Sequence, residues 1–182
     1  LTATDPLFLA VIAVVALAYS AVGHGGASGY LAVMAFAGFA QKEASALALC
    51  MNLFVSAIAF VAFQRAKHFD GNLAWPFLVG SIPFAFFGGS LKLAGHIHAY
   101  ILAGALLVAS FWLIKGSPKA SGASTPPKWP VAVAVGAGIG LISGIVGVGG
   151  GIFLSPLMIL AGWADAKRTA SISALFIFLN SG

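Results

Sequence analysis

Charge is what this chain lacks. Of 182 residues, nine are Lys or Arg and four are Asp or Glu, whereas about a quarter of a soluble domain is charged. So few charges cannot cover a water-facing surface, which excludes a soluble enzyme. They are also bunched, leaving 6–41, 44–64, 71–91, 93–114 and 129–164 free of any. A membrane span needs about 20 apolar residues, so each run is long enough to cross a bilayer. The composition is that of an all-α, polytopic transmembrane protein.

Other absences narrow the function. Cys50 is the sole cysteine, so neither an internal disulfide nor a multi-cysteine metal site can form. No carboxylate pair and no Ser/His/Asp set falls inside the apolar runs, which argues against an enzyme and leaves no catalytic residue to name. His96 and His98 read as a short loop and lack a third ligand, so no metal site or cofactor is implied. The net charge of +5 does not point to nucleic acid, because the basic residues punctuate apolar runs as loop charges do. Asp5, rather than a basic stretch, precedes the first run, which argues against a cleaved signal peptide.

What the chain does have is a repeat. Shifted by 124 positions, residues 6–46 align without a gap on 130–170, with 14 of 41 pairs identical. About four would be expected by chance in so Ala- and Gly-rich a chain. The matches include Pro6/Pro130, Gly23/Gly147, Gly25/Gly149, Gly26/Gly150, Met34/Met158 and Gly38/Gly162. The Pro-, Ser- and Gly-rich stretch 115–129 reads as a flexible linker. It divides a first membrane repeat, 1–114, from the start of a second, 130–182. The second unit stops inside an apolar run, which reads as a fragment of a longer chain. The alternative is a half-unit that completes itself by pairing as a homodimer.

The two longest runs, 36 residues each, are interrupted at their centres by Gly23-His24-Gly25-Gly26 and Gly147-Val148-Gly149-Gly150-Gly151. Clustered glycines cost a helix order and permit dihedrals that other residues avoid, so each run should break there. A helix of about 16 residues and a second of about 12 remain, the latter too short for a ~30 Å core. If each run crossed once, the basic residues would divide five to four between the two sides. If each turns back as a re-entrant hairpin, Arg65, Lys67, Lys115, Lys119, Lys128, Lys167 and Arg168 share a side against Lys42 and Lys92. The positive-inside rule favours the hairpin, with the linker cytoplasmic. Three further crossings, near 44–64, 73–94 and 97–114, then leave the repeats inverted, a known transporter plan.

Broken helices at membrane depth are tolerated only where protein buries them or a cavity adjoins them. A lone glycine such as Gly104 reads as a helix packing contact. Two GxGG breaks, each opening a short helix, would instead aim free N–H groups and positive dipole ends at one place, which suits an anion. Ser28 and Ser155, just inside those helices, would add hydroxyls or simply cap. Asn52 and Asn180 lie within apolar runs and either join helices or line a pathway. His24 is the one titratable side chain in a break; with Val148 as its counterpart, it reads as a spectator rather than a proton carrier. Arg168 could reach inward by snorkelling. Pro76 and Pro83 read as a first turn and a kink of one span. Without a following Gly-Lys-Ser/Thr, GxGG is not a nucleotide loop.

The stretch from Gly147 to Pro156, the closing Ala174–Gly182, the motif Gly23–Gly26 and the stretch His68–Trp75 leading to Gly88-Gly89-Ser90 resemble the TauE/SafE family of membrane permeases. The resemblance covers nearly the whole chain. It implies a duplicated, longer protein of the bacterial inner membrane that transports sulfur-containing anions such as sulfite and organosulfonates. The breaks and the polar residues within the runs suggest a substrate site comprising Gly23, His24, Gly25, Gly26, Ser28, Asn52, Gly147, Gly149, Gly150, Gly151, Ser155 and Asn180. The residues do not show whether an ion is coupled to the anion; H+ and Na+ are the candidates. Two departures stand out: Ala27 where the second copy has Gly151, and Ala32 where it has Pro156. The competing readings are a non-transporting membrane subunit and an anion channel.

Overall fold

The computed structural model describes residues 5–21, 23–91, 95–114 and 125–182. Lys92, Lys115, Lys119 and most of the linker, residues 115–124, lie outside them. The described residues form eight helices and no strand: α1 (Pro6–Ala21), α2 (Ala27–Phe36), α3 (Gln41–Arg65), α4 (Gly71–Ser90), α5 (Gly95–Ile114), α6 (Trp129–Val146), α7 (Gly151–Leu160) and α8 (Ala166–Ser181). Among them α3, α4 and α6 are long and apolar enough to cross a membrane. Local chemistry explains several starts. Asp70 caps α4 by accepting from the Leu73 amide at 3.2 Å, and Asp165 caps α8 by accepting from the Arg168 amide at 2.9 Å. Pro130 sits in the first turn of α6, where its missing N–H costs nothing.

Two features depart from the sequence reading. Pro76 is the sixth residue of α4, past its first turn, and Pro83 is also interior. His96 and His98 fall in the first turn of α5 rather than in a loop.

Contacts at the helix ends set the topology. The ring of Phe8 stacks on Phe39 with centroids 5.6 Å apart, so α1 begins where α2 leaves. The Thr125 amide donates to the Gly162 carbonyl at 3.0 Å, so α6 likewise begins where α7 leaves. Each α1–α2 and α6–α7 pair is therefore a hairpin returning to the end from which it came. Arg168 lies 3.8 Å from Asp70 and 3.6 Å from Asp165, which joins the start of α8 to the α3–α4 loop at the second hairpin's end. Helix α3 starts beside Phe39 and finishes near Asp70; its 25 residues span about 37 Å. The two hairpins thus enter from opposite ends.

Backbone-to-backbone packing of α4 on α6 holds the bundle together. A Cβ at Gly136 would strike the Phe77 carbonyl, one at Gly140 the Ser81 carbonyl and one at Gly144 the Ala85 carbonyl. From the other helix, Gly80 meets Val133 and Gly88 meets Leu141 in the same way. Glycines four apart on α6 form a stripe without side chains, which lets the helices close on each other. Phe77, Leu78, Leu154, Met158, Ile172 and Phe176 fill the core where α4, α7 and α8 meet. A second cluster, including Phe8, Tyr30, Met34, Ala48, Val146 and Val148, joins the first hairpin to α3 and the end of α6.

Gly104 is not a packing contact: nothing lies within 4 Å of a Cβ placed there. It borders an apolar groove of about 680 Å³ between α5, α6 and α7, lined also by Tyr100, Ile139, Phe153 and Leu160. Phe36, Phe86 and Ile114 are more than four-fifths exposed. So many bare apolar side chains are stable facing lipid, not water.

Two measurements check this architecture. Gly140→Ala should lower stability by about 2 kcal/mol through overpacking. Gly138→Ala, with nothing within 4 Å, should be neutral or stabilising by up to about 1 kcal/mol; thermal unfolding in detergent reads both. In a Cys50→Ala background, single cysteines at Lys67, Thr125 and Lys167 should react with an impermeant maleimide from one side of the membrane, and Lys42→Cys from the other. Labelling of Lys167→Cys together with Lys42→Cys would show that the broken runs cross once.

Candidate functional site

Between α1 and α2 the backbone leaves the helix through Gly23 (φ 71°), Gly25 (φ 74°) and Gly26 (φ 106°); between α6 and α7 it does so through Gly147 (φ 72°), Gly149 (φ 76°) and Gly150 (φ 79°). Among the described residues every positive-φ glycine has such a partner 124 positions away, Gly38 and Gly162 making the fourth pair. The left-handed conformation is closed to most side chains but costs glycine little. It reverses the chain at each break, and the short helix then starts on a glycine N-cap, Gly26 or Gly150, without a side-chain cap. First-turn amides have no preceding helical carbonyl to bond. At the second break, Phe153 is relieved by a 3.1 Å bond to the Gly150 carbonyl.

Asn52 lies between the breaks. It is the twelfth of the 25 residues of α3 and is wholly buried. Its Nδ2 donates to the Val148 carbonyl of the second break at 3.3 Å, while its Oδ1 faces the first, 2.8 Å from where a Gly25 Cβ would stand. A Cβ on Gly149 would come 3.0 Å from the same amide nitrogen and 2.8 Å from Ser181 Oγ. Gly25 and Gly149 therefore converge on one amide at the middle of the longest span. Gly23 packs on the Ala170 backbone of α8, and Gly151 on Ile177. His24 is half-buried, and its amide bonds the Tyr19 carbonyl at 3.0 Å.

Three residues of the sequence-derived set are engaged elsewhere. Ser28 Oγ donates to the Tyr19 hydroxyl of α1 at 3.2 Å. Ser155 Oγ donates to Ser173 Oγ of α8 at 2.7 Å. Asn180 Nδ2 donates to Ser81 Oγ of α4 at 3.0 Å and to the Phe176 carbonyl at 2.7 Å. They join helices rather than face a break. Arg168 does not reach inward, being held by two aspartates at the bundle end.

The sequence reading missed Ser45, Ser143, Ser181 and Tyr30. Tyr30 donates its hydroxyl to the Gly25 carbonyl at 3.0 Å, and its ring closes over Gly26. The three serines face the second break with buried hydroxyls that have no partner. Each is a polar residue inside an apolar run, the same signal that singled out Asn52.

A family model described as "Sulfite exporter TauE/SafE" matches residues 7–182. The chain belongs to the TauE/SafE family. It is 37% identical over 172 residues to a protein of Sinorhizobium fredii named "Probable membrane transporter protein y4hK", covering 92% of this chain and 70% of that one. No solved structure matches. Family and helix pattern together make this TauE/SafE protein a multi-pass membrane protein of a transporter family.

Backbone strain and side-chain pressure at the breaks can be separated. Gly38→Ala, at φ 83° with open space around it, should cost about 1 kcal/mol from backbone strain alone. Gly149→Ala, whose Cβ would also press on Ser181 and Asn52, should cost about 1–3 kcal/mol more. The difference between their thermal unfolding midpoints in detergent is the readout.

Proposed function

We propose that this TauE/SafE protein is a secondary transporter of a small anion, sulfur-containing by family resemblance. The anion would bind at mid-membrane between the two glycine breaks. The observation that carries this reading is the convergence of two uncapped short-helix N-termini, entering from opposite ends, on the level of Asn52. In hydrocarbon, free N–H groups and positive dipole ends have no water to satisfy them, and an anion supplies both the acceptor and the charge. The residues involved are Gly23, His24, Gly25, Gly26, Asn52, Gly147, Gly149, Gly150 and Gly151. Rocking of one hairpin against the other, within a frame held by the α4–α6 contact, would open the site alternately to each side. Arg65, Lys67, Lys128, Lys167 and Arg168 gather at the second hairpin's end, so the positive-inside rule makes that end cytoplasmic in the bacterial inner membrane.

The test is flux. The full-length protein in proteoliposomes should take up radiolabelled sulfite saturably, and preloaded unlabelled sulfite should accelerate exchange. Uptake that responds to an imposed proton or sodium gradient identifies the coupling ion. Non-saturating flux without counterflow would indicate a channel. Absence of flux for sulfite, methanesulfonate and sulfate would support a non-transporting membrane subunit.

A further inference from the structure

The two breaks share a backbone path but not a chemistry. At the first, the glycines face electron-rich groups: Gly23 the Ala170 carbonyl, Gly25 the unpaired Oδ1 of Asn52, and Gly26 the ring and oxygen of Tyr30. At the second they face hydroxyls. A Cβ on Gly147 would stand 3.6 Å from Ser45 Oγ, one on Gly149 2.8 Å from Ser181 Oγ, and one on Gly150 3.1 Å from Ser143 Oγ. These serines come from α3, α8 and α6, and all three oxygens are buried without a hydrogen-bond partner.

The buried hydroxyls of Thr169 and Ser171 on α8 also lack a partner, but neither is among the atoms nearest a break glycine. Ser20, Ser56, Ser81 and Ser90 each turn their hydroxyl back to a carbonyl three or four residues earlier in their own helix, the ordinary resort of a helical serine. A buried hydroxyl left without that bond costs stability unless a ligand uses it. Helix α7 adds first-turn amides of Gly151 and Ile152 at the same place, with no side-chain cap.

We infer that the anion rests on the second break rather than midway between the two, held by the hydroxyls of Ser45, Ser143 and Ser181 together with the α7 amides. This rests on the transporter reading above. Donors arriving from three helices suit an oxyanion that presents several oxygens, whereas the first break adds only the α2 amides, its other neighbours being lone pairs and a ring.

The test uses the purified full-length protein with sodium sulfite as probe, measuring both its binding and the ligand-free unfolding temperature. Ser143→Ala and Ser181→Ala should each weaken sulfite binding about tenfold. Each should leave the ligand-free Tm unchanged or raised, because the deleted hydroxyl bonds nothing in the protein. Ser155→Ala, which breaks the bond to Ser173, should lower Tm and leave binding intact. Wild-type affinity in both Ser143→Ala and Ser181→Ala, while the native protein binds sulfite, would overturn the placement and spare the transporter reading. A lowered Tm with unchanged binding would make these hydroxyls structural, with the same consequence. A native protein that binds neither sulfite, methanesulfonate nor sulfate would overturn both.

Discussion

A helix interrupted inside hydrocarbon leaves N–H and C=O groups that no water can satisfy, and this fold is organised around two such interruptions. Each must be buried by protein, and α3 and α8 do most of the burying. Asn52 supplies one explicit bond, to the Val148 carbonyl, and Tyr30 supplies another, to the Gly25 carbonyl. What remains open includes the first-turn amides of α2 and α7, three serine hydroxyls around the second break and the amide oxygen of Asn52 at the first.

Holding two short helices in place calls for a stiff support, and α6, the long limb of the second hairpin, finds it against α4. Lipid tails offer no hydrophobic driving force between helices, so close approach and dispersion do the work. Glycines at 136, 140 and 144 let one backbone lie against the other, with Ser81 and Ala85 as small residues opposite. Ser81 also accepts from Asn180, which ties α8 to the same support. Helix α7 packs in turn on α8, so the second short helix is tied to the support through that helix.

Much of this was legible in the residues themselves. The uncharged runs gave α3, α4 and α5 to within a few positions, because a bilayer penalises charge so heavily that loops and helix ends carry it. Asn52 stood out since an amide in an apolar helix must bond something. Other readings turn on orientation, which spacing along the chain does not carry. Ser28, Ser155 and Asn180 sit at plausible distances along the chain, yet a rotation of about 100° per residue decides whether a hydroxyl faces a break or a neighbouring helix. The stripe of Gly136, Gly140 and Gly144 was passed over, while Gly104, equally small, borders an open groove.

The sequence by itself determined that the chain is a helical membrane protein, where its runs lie and which glycines recur at the 124-residue offset. Those properties follow from hydropathy and backbone permissiveness, which are local. Charge counting already favoured hairpins in inverted repeats; only the tertiary structure decided which contacts close each hairpin and that Asn52 stands where the two meet. It also decided which serines keep a free hydroxyl. These are matters of helix rotation and packing depth, set by contacts between residues 96 or 99 positions apart, and no local pattern encodes them.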